Sequence, residues 1–186
     1  MSDWSKTLPG FLDRCWAEMT RGVASAQAPM RYVVLATTGL QGGPEARLVA
    51  LRGADPTAGT AQVHTDIGSV KVAELRVDPR AALHLWDPEA QLQIRLRGTM
   101  TIASGAEVAE TWARVPPTSR LSYGVTPAPG TPIPASDAYD RTPNQAQFAV
   151  MTLHIDEIDA VHLAPDYHRR ALYTRADAWT GTWRAP

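Results

Sequence analysis

The sequence predicts a mainly β chain with flanking helices, arranged as a barrel and not as a parallel α/β sheet. Three observations carry that expectation. Runs that alternate apolar and polar residues dominate the chain. Short Gly, Asp and Pro turns of hairpin type join them. Only three stretches have helical spacing, too few for a crossover helix between each pair of strands.

The first helical stretch is residues 4–22, where Leu8, Phe11, Leu12, Cys15, Trp16 and Met19 recur along one face and Gly22 supplies a stop. Residues 31–38 are rich in β-branched side chains, and the turn at 39–44 leads into a second strand over 45–52. Another turn at 53–59 precedes a short strand over 60–65. Ser69 then stands where it can cap a short helix that Asp78-Pro79 ends. Residues 80–86 and 92–102 alternate again around Asp87-Pro88, and Gly98 inside the second of these marks a bulge.

Ser104 followed by Glu107 has the form of a capping box for a helix over 104–115, which Pro116-Pro117 stops. Residues 116–143 are a Pro-rich loop, longer than a plain connector and of the kind used as lids or interface arms. Strand-like runs follow at 147–155, 160–163 and 170–174. With no internal repeat, residues 1–186 are expected to form one domain.

Composition narrows the function classes. A formal net charge of -1 gives no whole-molecule reason to expect nucleic acid or an anionic membrane as partner. No apolar run is long enough to span a bilayer, and residues 1–10 lack the apolar core of a secretory signal, so a cytoplasmic location is expected. Cys15 is the single cysteine, and no Cys/His spacing suits zinc; no metal is expected.

Anion chemistry has to come from local clusters. In Arg47-Leu-Val-Ala-Leu-Arg52 the two arginines fall on opposite faces of a strand, because side chains alternate. By itself this is equally a solvated strand with basic ends. His64-Thr-Asp-Ile-Gly-Ser-Val-Lys71 runs from a strand end through a turn into a helix start, offering hydroxyls, free N–H groups and an ammonium, the donor set that suits a phosphate. The alternative there is a capped helix with a surface lysine.

Taken together, these segments resemble the pyridoxamine 5'-phosphate oxidase-like flavoproteins. The family's Arg-x-Val-x-Leu-Lys is similar to Arg47-Leu-Val-Ala-Leu-Arg52, and its Tyr-Thr-x-x-x-Ser-Arg-Lys to the stretch from His64 to Lys71. Asp78-Pro-Arg-Ala-Ala-Leu83, Leu92-Gln-Ile-Arg-Leu-Arg-Gly98 and Arg170-Ala-Leu-Tyr-Thr-Arg175 resemble three further family segments in the same order. The resemblance implies an FMN-binding split β-barrel acting as an oxidoreductase, with hydride passing from a small, phosphorylated substrate to flavin. It also implies a homodimer with FMN at the subunit interface. Arg47 and Lys71 would hold the FMN phosphate, Ser69 would add a hydroxyl, and Leu48, Val49, His64 and Thr65 would line the ribityl chain and ring. Gln93 would meet the ring edge, and Arg170 would approach from the partner chain. Arg52, Ser119 and His168 would bind substrate.

The sequence departs from the family in several places. Val70 replaces the arginine of Ser-Arg-Lys. Trp112 and Val115 fall near the family's substrate-binding Tyr and Arg. Asp166-Tyr167-His168 stands where the family has Arg-x-His. These departures leave a second reading open, a non-catalytic module that binds flavin, haem or a deazaflavin.

Overall fold

The computed structural model describes residues 4–186; the targeting reading of residues 1–10 and the one-domain reading of 1–186 include residues outside that range. The chain enters through a short 3-10 turn, Trp4–Lys6, and helix α1, Leu8–Ala24, whose N-cap Thr7 accepts from the Gly10 N–H at 3.2 Å. The face carrying Phe11, Cys15 and Met19 is fully buried, as its spacing predicts. Burial also pushes the Cys15 thiol far above its usual range, so it stays protonated and packs as a small apolar group.

Strands β1 (Tyr32–Thr38), β2 (Pro44–Asp55) and β3 (Thr60–Asp66) follow, then helix α2 (Val70–Val77). Strands β4 (Arg80–Asp87) and β5 (Leu92–Ser104) form the next hairpin. The order β8-β3-β2-β1-β4-β5 is closed by pairing of β5 with β8 (Phe148–Leu163), so six antiparallel strands make a barrel. Strands β9 (His168–Thr174) and β10 (Thr182–Arg184) extend from the far half of β8. In this ring β2 and β5 lie on opposite walls.

Val33, Leu35, Leu51, Val63, Leu83, Ile94, Leu96 and Leu153 point inward and fill the barrel. The bulge expected at Gly98 is present as a register shift between Arg97 and Gly98 against β8. It needs glycine, because a Cβ there would lie 1.9 Å from the His154 carbonyl oxygen.

Three sequence expectations are corrected. The runs at 147–155 and 160–163 are one continuous strand of 16 residues, since the register shift opposite Gly98 takes up the extra residue Asp156, and Glu157 pairs with Arg97 without a break. The capping box at Ser104 does not form; Gly105, at φ +65°, turns the chain into a 3-10 segment before helix α3 (Ala109–Arg114), and the Ser104 side chain makes no cap bond. The Pro-rich segment holds short regular pieces: helix α4 (Pro117–Arg120) and a two-stranded ladder of β6 (Val125–Thr126) with β7 (Asp140–Arg141). Among the described residues, no helix is long and apolar enough to cross a membrane.

Candidate functional site

Two groups of polar side chains stand out, one on each face of the β2–β3 wall. Arg47 is in phase with the inward-facing Val49 and Leu51, which places it at the barrel end beneath α2. Its guanidinium donates to Thr37 Oγ1 and, at 2.8 Å, to Glu74 Oε2, while Thr37 Oγ1 itself donates to Glu74 at 2.7 Å. Glu74 sits on the buried face of α2, only 2% exposed, so the ion pair is largely removed from water.

Next to it, Lys71 Nζ donates to Thr65 Oγ1 at 3.2 Å, and Thr65 and Ser69 share a hydroxyl–hydroxyl bond at 3.1 Å. Ser69 occupies the N-cap position of α2, but its hydroxyl turns to Thr65 and does not cap. The N–H groups of Val70 and Lys71 have no backbone acceptor among the described residues, as expected for a first helical turn. Burial pulls the Lys71 ammonium below its ordinary range, Arg47 adds to that, and Asp66 and Glu74 oppose it. A bound dianion would relieve both positive contributions. Arg47, Lys71, Thr65, Ser69 and the first turn of α2 therefore fit the phosphate of FMN. Glu74 and Asp66 moderate the positive charge that the phosphate meets.

Asp66, which sequence reading passed over, organises this turn. One carboxylate oxygen accepts from the Gly68 N–H and the other from the Gly124 N–H, both at 2.8 Å. Gly124 has φ +112°, and a Cβ there would come within 2.2 Å of the Thr142 carbonyl oxygen, so only glycine serves. Gly130 lies over Val70, which leaves the position of the family's arginine in apolar contact with the Pro-rich segment.

The other face of the same wall carries Leu48, 69% exposed, with Arg52 and His64. The opposite orientation of Arg47 and Arg52 expected from alternation is what the strand shows, with a register shift between Leu51 and Gly53 beside Arg52. Arg52 and His64 line a cavity of about 310 Å³ together with Arg31, Gln62, Thr111 and Arg114. The His64 ring meets Phe148 edge-on, and burial, followed by the charges of Arg52 and Arg31, pushes its pKa down to about 4. His64 is therefore neutral at physiological pH.

Ser119, on α4, is not among the residues lining this cavity. Arg120 beside it closes α3, donating to the carbonyls of Val115, Trp112 and Ala113 and stacking on Trp112 at 5.0 Å.

Gln93 and Arg170 lie elsewhere. They belong to one cross-strand row, Gln93–Val161–Arg170, on the outside of β5, β8 and β9. Arg170 is held by Asp159 through bonds of 2.9 and 2.8 Å, and Arg95 binds the same carboxylate. His168 and Arg170 line a second cavity of about 320 Å³ with Lys6, Arg169, Trp183 and Arg184. Asp166, in place of the clamp arginine, pairs with Arg169 at 2.6 Å. The packed barrel core separates Gln93, on the β5 wall, from the Arg47–Lys71 cluster on the β2–β3 side.

The fold defines a class, the antiparallel split barrel that carries its polar sites on strand faces and at the barrel end. Residues 13–104 match the family model described as pyridoxamine 5'-phosphate oxidase, FMN-binding domain. Over those residues the chain is similar to the FMN-binding domain of the pyridoxamine 5'-phosphate oxidase-like family, and its fold is that of the family's split barrels. It is similar to pyridoxine/pyridoxamine 5'-phosphate oxidase 2 of Arabidopsis thaliana, 25% identical over 89% of this chain and 93% of the relative. The oxidase of Microcystis aeruginosa is 36% identical over 53% of this chain; the match spans 44% of that protein's length. Among solved structures, a pyridoxamine 5'-phosphate oxidase-related, FMN-binding protein from Nostoc punctiforme superposes with a TM-score of 0.77 at 24% identity, covering 93% of this chain and 96% of the other.

Proposed function

We propose that the protein is a cytoplasmic, single-domain FMN-dependent oxidoreductase of the pyridoxamine 5'-phosphate oxidase type, working as a homodimer on a small phosphorylated substrate. The observation that carries this reading is the cluster of Arg47, Lys71, Thr65 and Ser69 at the start of α2, two cations and two hydroxyls gathered where one dianion can meet them all. FMN, when bound, supplies the redox chemistry by accepting hydride from a substrate carbon. The chain's part is to hold the phosphate at Arg47 and Lys71, to give the ring apolar cover at Leu48, and to seat the substrate's anion at Arg52. Val49, expected beside Leu48, faces into the barrel core instead and is only 9% exposed.

Two features support dimerisation as part of the site. Gln93 and Arg170 cannot reach the Arg47–Lys71 cluster of their own chain, so both groups serve one FMN only if two copies contribute. The outward faces of β1, β2 and β4 also expose Tyr32, Leu48 and Trp86, an apolar surface that a second copy covers.

Purified protein tests the reading. A visible flavin spectrum, lost in Arg47→Ala and Lys71→Ala, is expected, and colourless protein that ignores added FMN refutes it. Incubation with pyridoxamine 5'-phosphate is expected to yield peroxide and the aldehyde. The Asp166–Arg169 pair, a carboxylate where the family has a clamp arginine, favours one alternative: a module that binds flavin or haem without turnover. Flavin bound without peroxide formation selects that alternative.

A further inference from the structure

Three arginines, Arg31, Arg52 and Arg114, line the cavity on the outer face of β2 and β3, and no carboxylate lines it. Arg52 makes no hydrogen bond or ion pair among the described residues. Arg31 is fixed by one nitrogen only. Its Nη1 donates to the carbonyls of Gly22 at 3.3 Å, Val23 at 2.9 Å and Leu51 at 3.0 Å, where the end of α1 meets β2. Carbonyl groups orient a guanidinium without neutralising it, and its Nε and Nη2 have no acceptor among the described residues. Arg114, also on the cavity wall, is turned to Glu110 at 3.3 Å. His64 adds no charge.

Two like charges in one half-buried cavity repel, and the repulsion is relieved by an anion carrying more than one negative charge. Burial and the charge of Arg52 both pull Arg31 below its ordinary range, in accord with that mutual repulsion. Sequence reading found Arg52 but not Arg31, which looks like an ordinary basic residue before a strand.

We propose that Arg31 is a second anchoring cation of the substrate subsite, acting with Arg52 on a dianionic, phosphate-type end group. The inference rests on the flavin-enzyme reading above. It assigns to Arg31 the charge that Val115, which lines the same cavity, does not supply.

The test uses flavin-loaded protein titrated with phenyl phosphate, benzoate and inorganic phosphate, followed by flavin fluorescence and calorimetry. The wild type is expected to prefer phenyl phosphate to benzoate. Arg31→Met is expected to weaken phenyl phosphate about tenfold or more, with a smaller loss for benzoate, because a charge-assisted bond to a dianion disappears. Arg31→Lys keeps the charge and is expected to retain part of the affinity. An Arg31 that merely holds α1 in place would lower the melting temperature and weaken both ligands equally; that result overturns the proposal. So does a wild type that binds benzoate as well as phenyl phosphate, or that binds neither. Inorganic phosphate binding as tightly as phenyl phosphate refutes the substrate assignment. Failure of the flavin reading itself shows separately, as protein without visible flavin absorbance.

Discussion

Replacing Arg47 with alanine removes two interactions at once, and a second substitution separates them. In the flavin-free protein the Arg47 guanidinium faces Glu74, which is 2% exposed and, among the described residues, has Thr37 as its other hydrogen-bond partner. Breaking a buried pair from one side strands the remaining charge and costs about 3–5 kcal/mol. Arg47 is 22% exposed, so the lower end applies, and about 3 kcal/mol lowers the melting temperature of a chain this size by roughly 6–12 °C. The FMN phosphate loses one charge-assisted donor, about 1.5–3 kcal/mol, which is a tenfold to hundredfold weaker dissociation constant. Glu74→Gln in the same chain removes the stranded charge and leaves an amide that still accepts from Thr37. The double variant is therefore expected to regain most of the melting temperature and none of the flavin affinity. Glu74→Gln alone, by releasing Arg47 from its carboxylate, is expected to bind FMN more tightly than the wild type. Melting has to be followed on flavin-free protein, because bound FMN raises the midpoint by mass action. Recovery of flavin affinity in the double variant, in step with stability, would show that Arg47 acts only on the fold and would refute the phosphate assignment.

The remaining predictions concern pH and the barrel seam. His64 has a pKa of about 4 in the folded chain against an ordinary 6.5, so between those values the unfolded chain holds a proton that the folded chain does not. Stability is accordingly expected to fall as pH drops from 6.5 towards 4 and to level off below. His64→Gln should flatten that part of the curve, and parallel melting curves for the two proteins would contradict the assignment. At the seam, Gly98→Ala puts a methyl group 1.9 Å from the His154 carbonyl oxygen and 3.1 Å from the Ile155 Cα, both backbone atoms of the strand that closes the barrel. A loss of about 3 kcal/mol or more is expected in chemical denaturation, and a variant within about 0.5 kcal/mol of wild type would mean that the seam is looser than the register implies.

Much of the barrel was legible because its strands alternate cleanly and its turns use Gly, Asp and Pro. The bulge at Gly98 was readable for the same reason, since a glycine inside an alternating run marks a bend or a close approach of another backbone. The unbroken β8 was not, because Asp156 and Glu157 interrupt the apolar pattern and only the register with β5 shows that Asp156 is a bulge residue and Glu157 a ladder partner of Arg97. The capping box at Ser104 failed because the glycine that follows took a left-handed conformation and changed the helix type.

At the site, alternation correctly separated Arg47 from Arg52. It could not reveal Glu74, which reads as a solvent-facing helix residue until α2 is seen closing the barrel end. Thr37, Asp66 and Arg31 were missed for a related reason: each acts through a partner distant in sequence, and nothing local in the chain announces it.

The two bonds of Asp66 have a consequence for chain length. They fasten one foot of the Pro-rich segment, at Gly124, to the turn that would receive the flavin phosphate, and Asn144 fastens the other foot through its N–H to the Tyr123 carbonyl. Between the feet, the ladder of Val125 with Arg141 and Thr126 with Asp140 closes a nearly fully exposed stretch at 131–139. Residues added or deleted in that stretch leave the fastened turn where it is. The segment is thus a natural place for sister sequences to differ in size, and for a foreign peptide to be grafted while the barrel keeps its shape.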